Sequence, residues 1–277
     1  MNKKQIYISC VAIGLVAVLF TLPKVIVKNE SPATSENRSE TSKLDSSEQH
    51  EEHTHELTLE KDQVKIVNSL KSLFVKETEN KNKLRMVDSI ARIFQSKFMY
   101  DSAAIYLAIH KKIQPSLEAI ELEGDNFLDA FNFATDQNKA TEYSEKAQKS
   151  YEEILAQVPD NLDVKSKLAM TYVASPNPMK GIMLLRENLE KNPTHKPTIL
   201  NLGLLAIQSG QFDKAAKRFE DLVKLDPLNS KAYFYLGIAY KELGKNELAK
   251  QNFTKVKQLD SDPEVVATVD GYMKELK

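Results

Sequence analysis

Hydrophobic and small residues recur in the C-terminal part of the chain at a spacing of 34 positions. Five pairs of identical residues share this spacing: Gly203 and Gly237, Gly210 and Gly244, Ala215 and Ala249, Phe219 and Phe253, and Leu225 and Leu259. A constant period of this length is typical of a solenoid, in which each repeat is a pair of helices that stacks on the next pair. The pattern therefore predicts an all-α chain whose core runs along a stack.

The last complete repeat shows which positions carry the pattern. It spans 230–263 and contains, in order, Tyr233, Leu236, Gly237, Tyr240, Ala249, Phe253 and Val256. This arrangement resembles the tetratricopeptide repeat (TPR), whose first helix carries a bulky residue, a leucine, a small residue and an aromatic residue, and whose second helix carries a small residue followed by an aromatic one. The resemblance implies a protein-binding solenoid in which small residues let the two helices of a repeat approach closely.

The resemblance extends over 84–263 and implies five repeats. Their expected bounds are 84–117, 128–161, 162–195, 196–229 and 230–263. Prolines near the repeat ends are 44, 34 and 34 residues apart, so the additional residues are expected between the first two repeats, around 118–127, where they lengthen or shift one helix. Apolar residues at helical spacing also predict a leading helix in 57–77 and a capping helix in 264–277. The domain 57–277 is thus expected to be a right-handed α-solenoid of about five helix pairs with a flanking helix at each end.

Residues 1–28 combine an uncharged apolar stretch, 6–22, with lysines on both sides. A stretch of 17 residues is at the lower limit for crossing a bilayer as a helix. We therefore predict an uncleaved signal anchor that forms a single transmembrane helix. The alternative is a cleaved secretory signal, which has the same basic start and apolar centre. Both interpretations place the rest of the chain on the exported side of the membrane, which is the periplasm if the source is bacterial.

Residues 29–56 are rich in serine, threonine and glutamate and contain few aliphatic residues. Such a segment cannot bury enough apolar surface to offset the entropy lost on ordering, so it is predicted to be a disordered acidic tether. Its histidines, His50, His53 and His55, alternate with glutamates, and imidazole together with carboxylate suits Zn²⁺, Cu²⁺ or Ni²⁺. Two interpretations stay open: a solvated linker, or a weak metal site that would make the chain a metal-handling envelope protein.

Charge and cysteine content narrow the function classes. The chain carries 38 basic and 39 acidic residues, so it lacks the basic excess of a general nucleic-acid binder. Its single cysteine excludes an internal disulfide. The sequence contains no nucleophile-elbow, P-loop, H-E-x-x-H or C-x-x-C signature. His110 and His195, which follow the tether, are expected to have a structural role or to face the solvent. We therefore expect a non-enzymatic chain that uses no cofactor and no small-molecule substrate.

The resemblance also implies where a partner would bind. In TPR proteins the inner, concave face is built mainly from residues of the first helix of each repeat. The corresponding residues here form a mostly apolar stripe: Met170, Val173, Leu200, Leu204, Ile207, Phe234 and Ile238. The stripe is either a groove for an apolar or amphipathic peptide segment or part of the core, covered by neighbouring helices.

The function expected from these features is that of a membrane-anchored scaffold or chaperone-like assembly factor that binds other proteins. The anchor together with the repeats resembles bacterial envelope TPR proteins, which include translocon-associated and cytochrome-maturation factors. That likeness implies a place in the envelope and does not identify the partner.

Overall fold

The computed structural model describes residues 58–173, 175 and 177–276. Twelve helices follow one another in these ranges: α1 (Lys61–Lys76), α2 (Asn80–Gln95), α3 (Tyr100–Ile113), α4 (Leu117–Phe133), α5 (Gln137–Gln157), α6 (Leu162–Val173), α7 (Pro178–Lys191), α8 (Lys196–Gln208), α9 (Phe212–Leu225), α10 (Ser230–Glu242), α11 (Asn246–Leu259) and α12 (Pro263–Glu275). The same ranges contain no strand, so the prediction of an all-α fold is confirmed.

The predicted anchor in 1–28 and the predicted tether in 29–56 lie outside the described residues. Within the described part of the chain, none of the helices has both the length and the apolar character needed to cross a bilayer. The anchor therefore stays a prediction from the sequence.

Short connections fold the helices into five pairs between two flanking helices. α2 packs on α3, α4 on α5, α6 on α7, α8 on α9, and α10 on α11; we number these pairs 1 to 5. The first helices of pairs 2 to 5 also contact one another in order, so they form one layer and the second helices form the other. The flanking helix α1 contacts α2, and α12 contacts α11. The described chain is a solenoid of helix pairs, as the 34-residue period predicts.

Two of the periodic glycines end the first helices of pairs 4 and 5. Gly210 and Gly244 have φ angles of 69° and 71°, in the left-handed region that glycine enters without a steric penalty. At the first of these turns the N–H of Gln211 donates to the carbonyl of Ala206 over 2.8 Å and closes the helix end. Phe98 takes the equivalent place in pair 1, with a φ of 58°, and its ring packs against pair 2.

A glycine facing an aromatic ring brings the two helices of a pair together. A Cβ on Gly203 would lie 2.6 Å from Cζ of Phe219, and one on Gly237 would lie 2.7 Å from Cε1 of Phe253. Both rings are fully buried. Because a close-packed interior leaves no room for an added methyl group at such a contact, the periodic glycine and phenylalanine are two halves of one packing contact.

The extra residues of pair 2 lie at a different place from the one predicted. The repeat expected at 128–161, with its insertion around 118–127, starts instead with α4 at Leu117. Gly124 of α4 faces the ring of Tyr151, and a Cβ on it would lie 2.8 Å from Cε1 of that ring. This contact is equivalent to those of pairs 4 and 5, so residues 118–127 belong to the ordinary part of the first helix.

Both helices of pair 2 are lengthened at the ends that their connecting loop joins, which are the C-terminal end of α4 and the N-terminal end of α5. The glycine and the aromatic residue of this contact are 27 residues apart in pair 2 and 16 apart in pair 4. α4 has 17 residues and α5 has 21, whereas the second helices of the other four pairs have 14. The hydroxyl of Tyr143 donates to Asp101 over 2.9 Å, and Asp136 caps α5. The additional turns of α5 therefore rest against the start of α3.

The two flanking helices bury different amounts of apolar surface. In α12, Val269 is fully buried, and the ring of Tyr272 is stacked on Phe253 with 5.5 Å between the centroids. In α1, Val67 is buried, but Leu73 is 53% exposed. Helices are therefore present at both predicted flanks, and the C-terminal one covers the end of the stack more completely.

Replacing Gly181 by alanine is expected to lower the free energy of unfolding by about 1–3 kcal/mol. Gly181 lies where α7 meets α6, and an added Cβ would overlap the backbone oxygen of Ala169 and lie 2.8 Å from Cγ2 of Val173. Gly271, inside α12, is a matched control because its Cβ position has no heavy atom within 4 Å. Alanine there should raise the free energy of unfolding by about 0.5–1 kcal/mol through helix propensity. Urea denaturation followed by circular dichroism measures both, and changes of the same sign would contradict the packing argument.

Candidate functional site

The inner face is the side of the first-helix layer that the second helices leave uncovered. On α4, Glu118, Glu121, Asp125 and Asp129 share one side of the helix, opposite the buried side. Lys167 of α6 reaches across to them, and its Nζ is 2.7 Å from Oε1 of Glu121 and 2.7 Å from Oδ2 of Asp125. This bridge shows that the uncovered sides of α4 and α6 belong to one continuous surface.

The predicted apolar stripe follows on the same layer of helices. Its seven residues are distributed over three helices: Met170 and Val173 on α6, Leu200, Leu204 and Ile207 on α8, and Phe234 and Ile238 on α10. All seven side chains are partly buried. Those on α8 and α10 pack against the core of pairs 4 and 5, and Met170 packs against a smaller core between pairs 3 and 4. Each of the seven side chains is thus partly covered and also reaches the surface, and a peptide groove at this place stays a prediction.

Val173 and Phe234 are more strongly involved in packing than the other five. Val173 lies beside Gly181 of α7. The ring of Phe234 lies 6.0 Å from the ring of Phe253 and 5.7 Å from the ring of Tyr272, so it belongs to the interface with the capping helix. The stripe residues best placed for contact with a partner are Met170, Leu200, Leu204, Ile207 and Ile238.

The carboxylates of α4 influence one another. Desolvation raises the pKa of Asp129, the charge of Asp125 raises it further, and Lys167 opposes both effects. Burial alone would lower the pKa of Lys167, but hydrogen bonds to Asp125 and Glu121 raise it. Because the ionised form of Asp129 is disfavoured in the folded chain, its charge opposes folding at neutral pH. That penalty decreases as the pH falls through the folded-state pKa, and it is gone below the unfolded-state pKa, where both states bind the proton.

Both histidines of the repeats bond to side chains within the fold. Nδ1 of His110 is 2.6 Å from Oδ1 of Asp88. Nδ1 of His195 is 2.7 Å from Oγ1 of Thr198, and its Nε2 is 3.2 Å from Oδ1 of Asp163. These contacts agree with the structural roles expected from the sequence.

A buried polar cluster at the junction of pairs 3 and 4 was missed by the sequence analysis. The hydroxyls of Ser166 and Thr198 are 2.8 Å apart, and Nδ2 of Asn188 donates to Oγ of Ser166 over 3.0 Å. Together with His195 and Asp163 they form one chain of hydrogen-bonded side chains. The two hydroxyl-bearing residues are only 1% and 0% exposed, so neither hydroxyl can reach a substrate. The cluster joins two helix pairs through hydrogen bonds.

The predicted metal site lies in the tether. In the part of the chain that the structure describes, no three His, Cys, Asp or Glu side chains are grouped so that they could hold a metal ion. His50, His53 and His55 lie outside the described residues, so the metal-handling alternative stays a prediction.

Comparison with known proteins identifies the repeats. Residues 200–261 match the family model of the tetratricopeptide repeat, and no curated protein sequence matches the chain. The structure is similar to that of a tetratricopeptide repeat protein from Parabacteroides merdae, with a TM-score of 0.54 and 19% identity over 78% of this chain and 82% of that one. It is also similar to a thermophilic TPR protein in Thermus thermophilus, with a TM-score of 0.53 and 18% identity over 70% of this chain and 98% of that one. Residues 200–261 are therefore similar to tetratricopeptide repeats, and the described chain has the fold of a TPR solenoid.

Proposed function

We propose that this chain is a membrane-anchored TPR scaffold, or chaperone-like assembly factor, that binds peptide segments of other proteins on its inner face. The observation that carries the proposal is the apolar stripe on α6, α8 and α10, whose side chains reach the surface although they are large and apolar. Apolar side chains aligned on neighbouring helices form a surface that an amphipathic segment can cover.

We also propose that the solenoid is held near a membrane. Residues 1–28 hold the chain in the membrane, and residues 29–56 act as the tether. At about 5–6 Å times the square root of the residue number, a tether of this length gives a typical separation of about 30 Å. The inner face would then capture segments of proteins that emerge from, or assemble at, the same membrane.

A photo-crosslinking experiment tests the proposal. Benzoylphenylalanine is placed at Gln208, which is exposed at the end of α8 next to Ile207, and in a matched control at Met183 of α7, which is 57% exposed on the other layer. We expect irradiation of intact membranes to link the Gln208 variant to a segment of another protein, identified by mass spectrometry, and to give no adduct at Met183. Both variants should stay in the membrane fraction after an alkaline carbonate wash.

Two results would each contradict one part of the proposal. Adducts at Met183 alone would place the partner on the second-helix layer and contradict binding on the inner face. Release of the chain by the carbonate wash would contradict the membrane anchor. It would not affect the proposal that a partner binds on the inner face.

A further inference from the structure

The four carboxylates of α4 form a surface that adjoins the apolar stripe. We call Glu118, Glu121, Asp125 and Asp129 the acidic wall. Lys167 of α6 bridges two of its members, and three residues further along the same helix Met170 begins the stripe. The inner face is therefore acidic at pair 2 and apolar from pair 3 to pair 5.

Most of the charge of this wall is not balanced within the described chain. Lys167 supplies one positive charge to Glu121 and Asp125. Glu118 and Asp129 are both exposed, and neither forms an ion pair with any residue that the structure describes. The mutual repulsion noted above for Asp125 and Asp129 adds to this excess of negative charge. A cation that arrives at the wall would relieve that repulsion.

The spacing of the helices sets the length of a segment that could reach both regions. Neighbouring packed helices are about 8–10 Å apart, so about 25–30 Å separates α4 from α10 along the layer. An extended chain rises about 3.3 Å per residue, so a segment of about eight residues spans this distance.

We propose, on the basis of the function proposed above, that the bound segment is a protein segment with lysine or arginine residues at one end and apolar residues at the other. Its basic end lies on the acidic wall of pair 2, and its apolar end covers the stripe of pairs 3 to 5. Charge complementarity selects this partner, because the wall repels the phosphates of nucleic acids and of anionic lipids.

Binding of defined peptides tests this inference. The full chain is placed in zwitterionic phosphatidylcholine nanodiscs, with empty nanodiscs as a blank. Three fluorescent peptides share an apolar half of leucine, isoleucine and phenylalanine, and their other halves consist of lysine, of glutamate or of serine. The lysine peptide is made in both chain directions, and the tighter one is used. We expect it to bind about tenfold more tightly than the glutamate peptide at low salt, with a smaller ratio at high salt because exposed charges are screened.

Two double variants connect the effect to the wall. Glu118→Gln with Asp129→Asn should weaken the lysine peptide about fivefold and leave the serine peptide unchanged. Glu187→Gln with Glu190→Gln, at exposed positions of α7, is the matched control and should change neither affinity. Circular dichroism confirms that all variants fold.

The outcomes separate this inference from the function on which it rests. Equal affinity of the three peptides, or preference for the glutamate peptide, would overturn the basic end of the segment and leave the apolar groove intact. Absence of binding by all three would overturn both. Equal losses in the two double variants would show that net charge, and not the acidic wall, attracts the lysine peptide.

Discussion

Replacing Phe219 by alanine is expected to lower the free energy of unfolding by about 3–5 kcal/mol. The ring is 0% exposed and fills the space that Gly203 leaves in the partner helix. It is also stacked on Tyr235 of the next pair, with 5.5 Å between the ring centroids. Truncation therefore opens a cavity within pair 4 and removes a contact between pairs 4 and 5. The neighbouring helices cannot move to fill the cavity and restore the lost contact at the same time.

Urea denaturation followed by circular dichroism at 222 nm measures this change. Leu228→Ala is the control in the same repeat, because Leu228 lies in the turn before α10 and is 77% exposed. We expect the control to change the free energy of unfolding by no more than about 0.5 kcal/mol. A change below about 1 kcal/mol for Phe219→Ala would contradict the view that the glycine and phenylalanine contact holds the repeat together.

The fold could be predicted largely from the sequence because one packing contact recurs at a constant spacing. The glycine and phenylalanine of pairs 4 and 5 meet in the same way, and the turn glycines Gly210 and Gly244 both take the left-handed conformation. A close helix contact and a left-handed turn each favour glycine at one position. Because both features recur in pairs 4 and 5, the same residues recur in the sequence at the same spacing.

Pair 2 could not be placed correctly because the position of its insertion was taken from the spacing of prolines. Prolines at the ends of repeats give the length of an insertion but not its position. The lengthened ends of α4 and α5 contain neither glycine nor proline to mark them. Gly124 followed by Phe127 was the available signal, since it repeats the order of a small residue and an aromatic residue found in the first helix of pair 5.

The same error concealed half of the candidate site. The stripe on α6, α8 and α10 was found because those helices keep the regular register, whereas the acidic wall lies on α4, where the expected repeat began eleven residues too late. The polar cluster around Ser166, Asn188 and Thr198 was not predicted for a different reason. Its members belong to three helices, and their contacts depend on how the pairs are stacked, which local sequence patterns do not specify.

Replacing Leu204 and Ile238 together by glutamate is expected to weaken binding of the partner segment at least about 100-fold. Both side chains lie at the centre of the stripe, on α8 and α10, where a partner would bury two carboxylates without a cation to pair with them. Both are also partly exposed, so each new carboxylate can turn to solvent in the free protein. We therefore expect the free energy of unfolding to fall by only about 1 kcal/mol per site.

The most direct test of the inner face as the binding site is this double variant beside Met179→Glu with Met183→Glu. The two methionines lie on α7 and are 54% and 57% exposed, so the control adds the same charge outside the inner face. Fluorescence anisotropy with the segment recovered by crosslinking gives the affinities, and circular dichroism gives helicity and melting temperature. We expect lost binding with retained helicity for Leu204→Glu with Ile238→Glu, and unchanged binding for the control. Unchanged binding by the inner-face variant would contradict binding on the inner face, and its global unfolding would assign the stripe to the core.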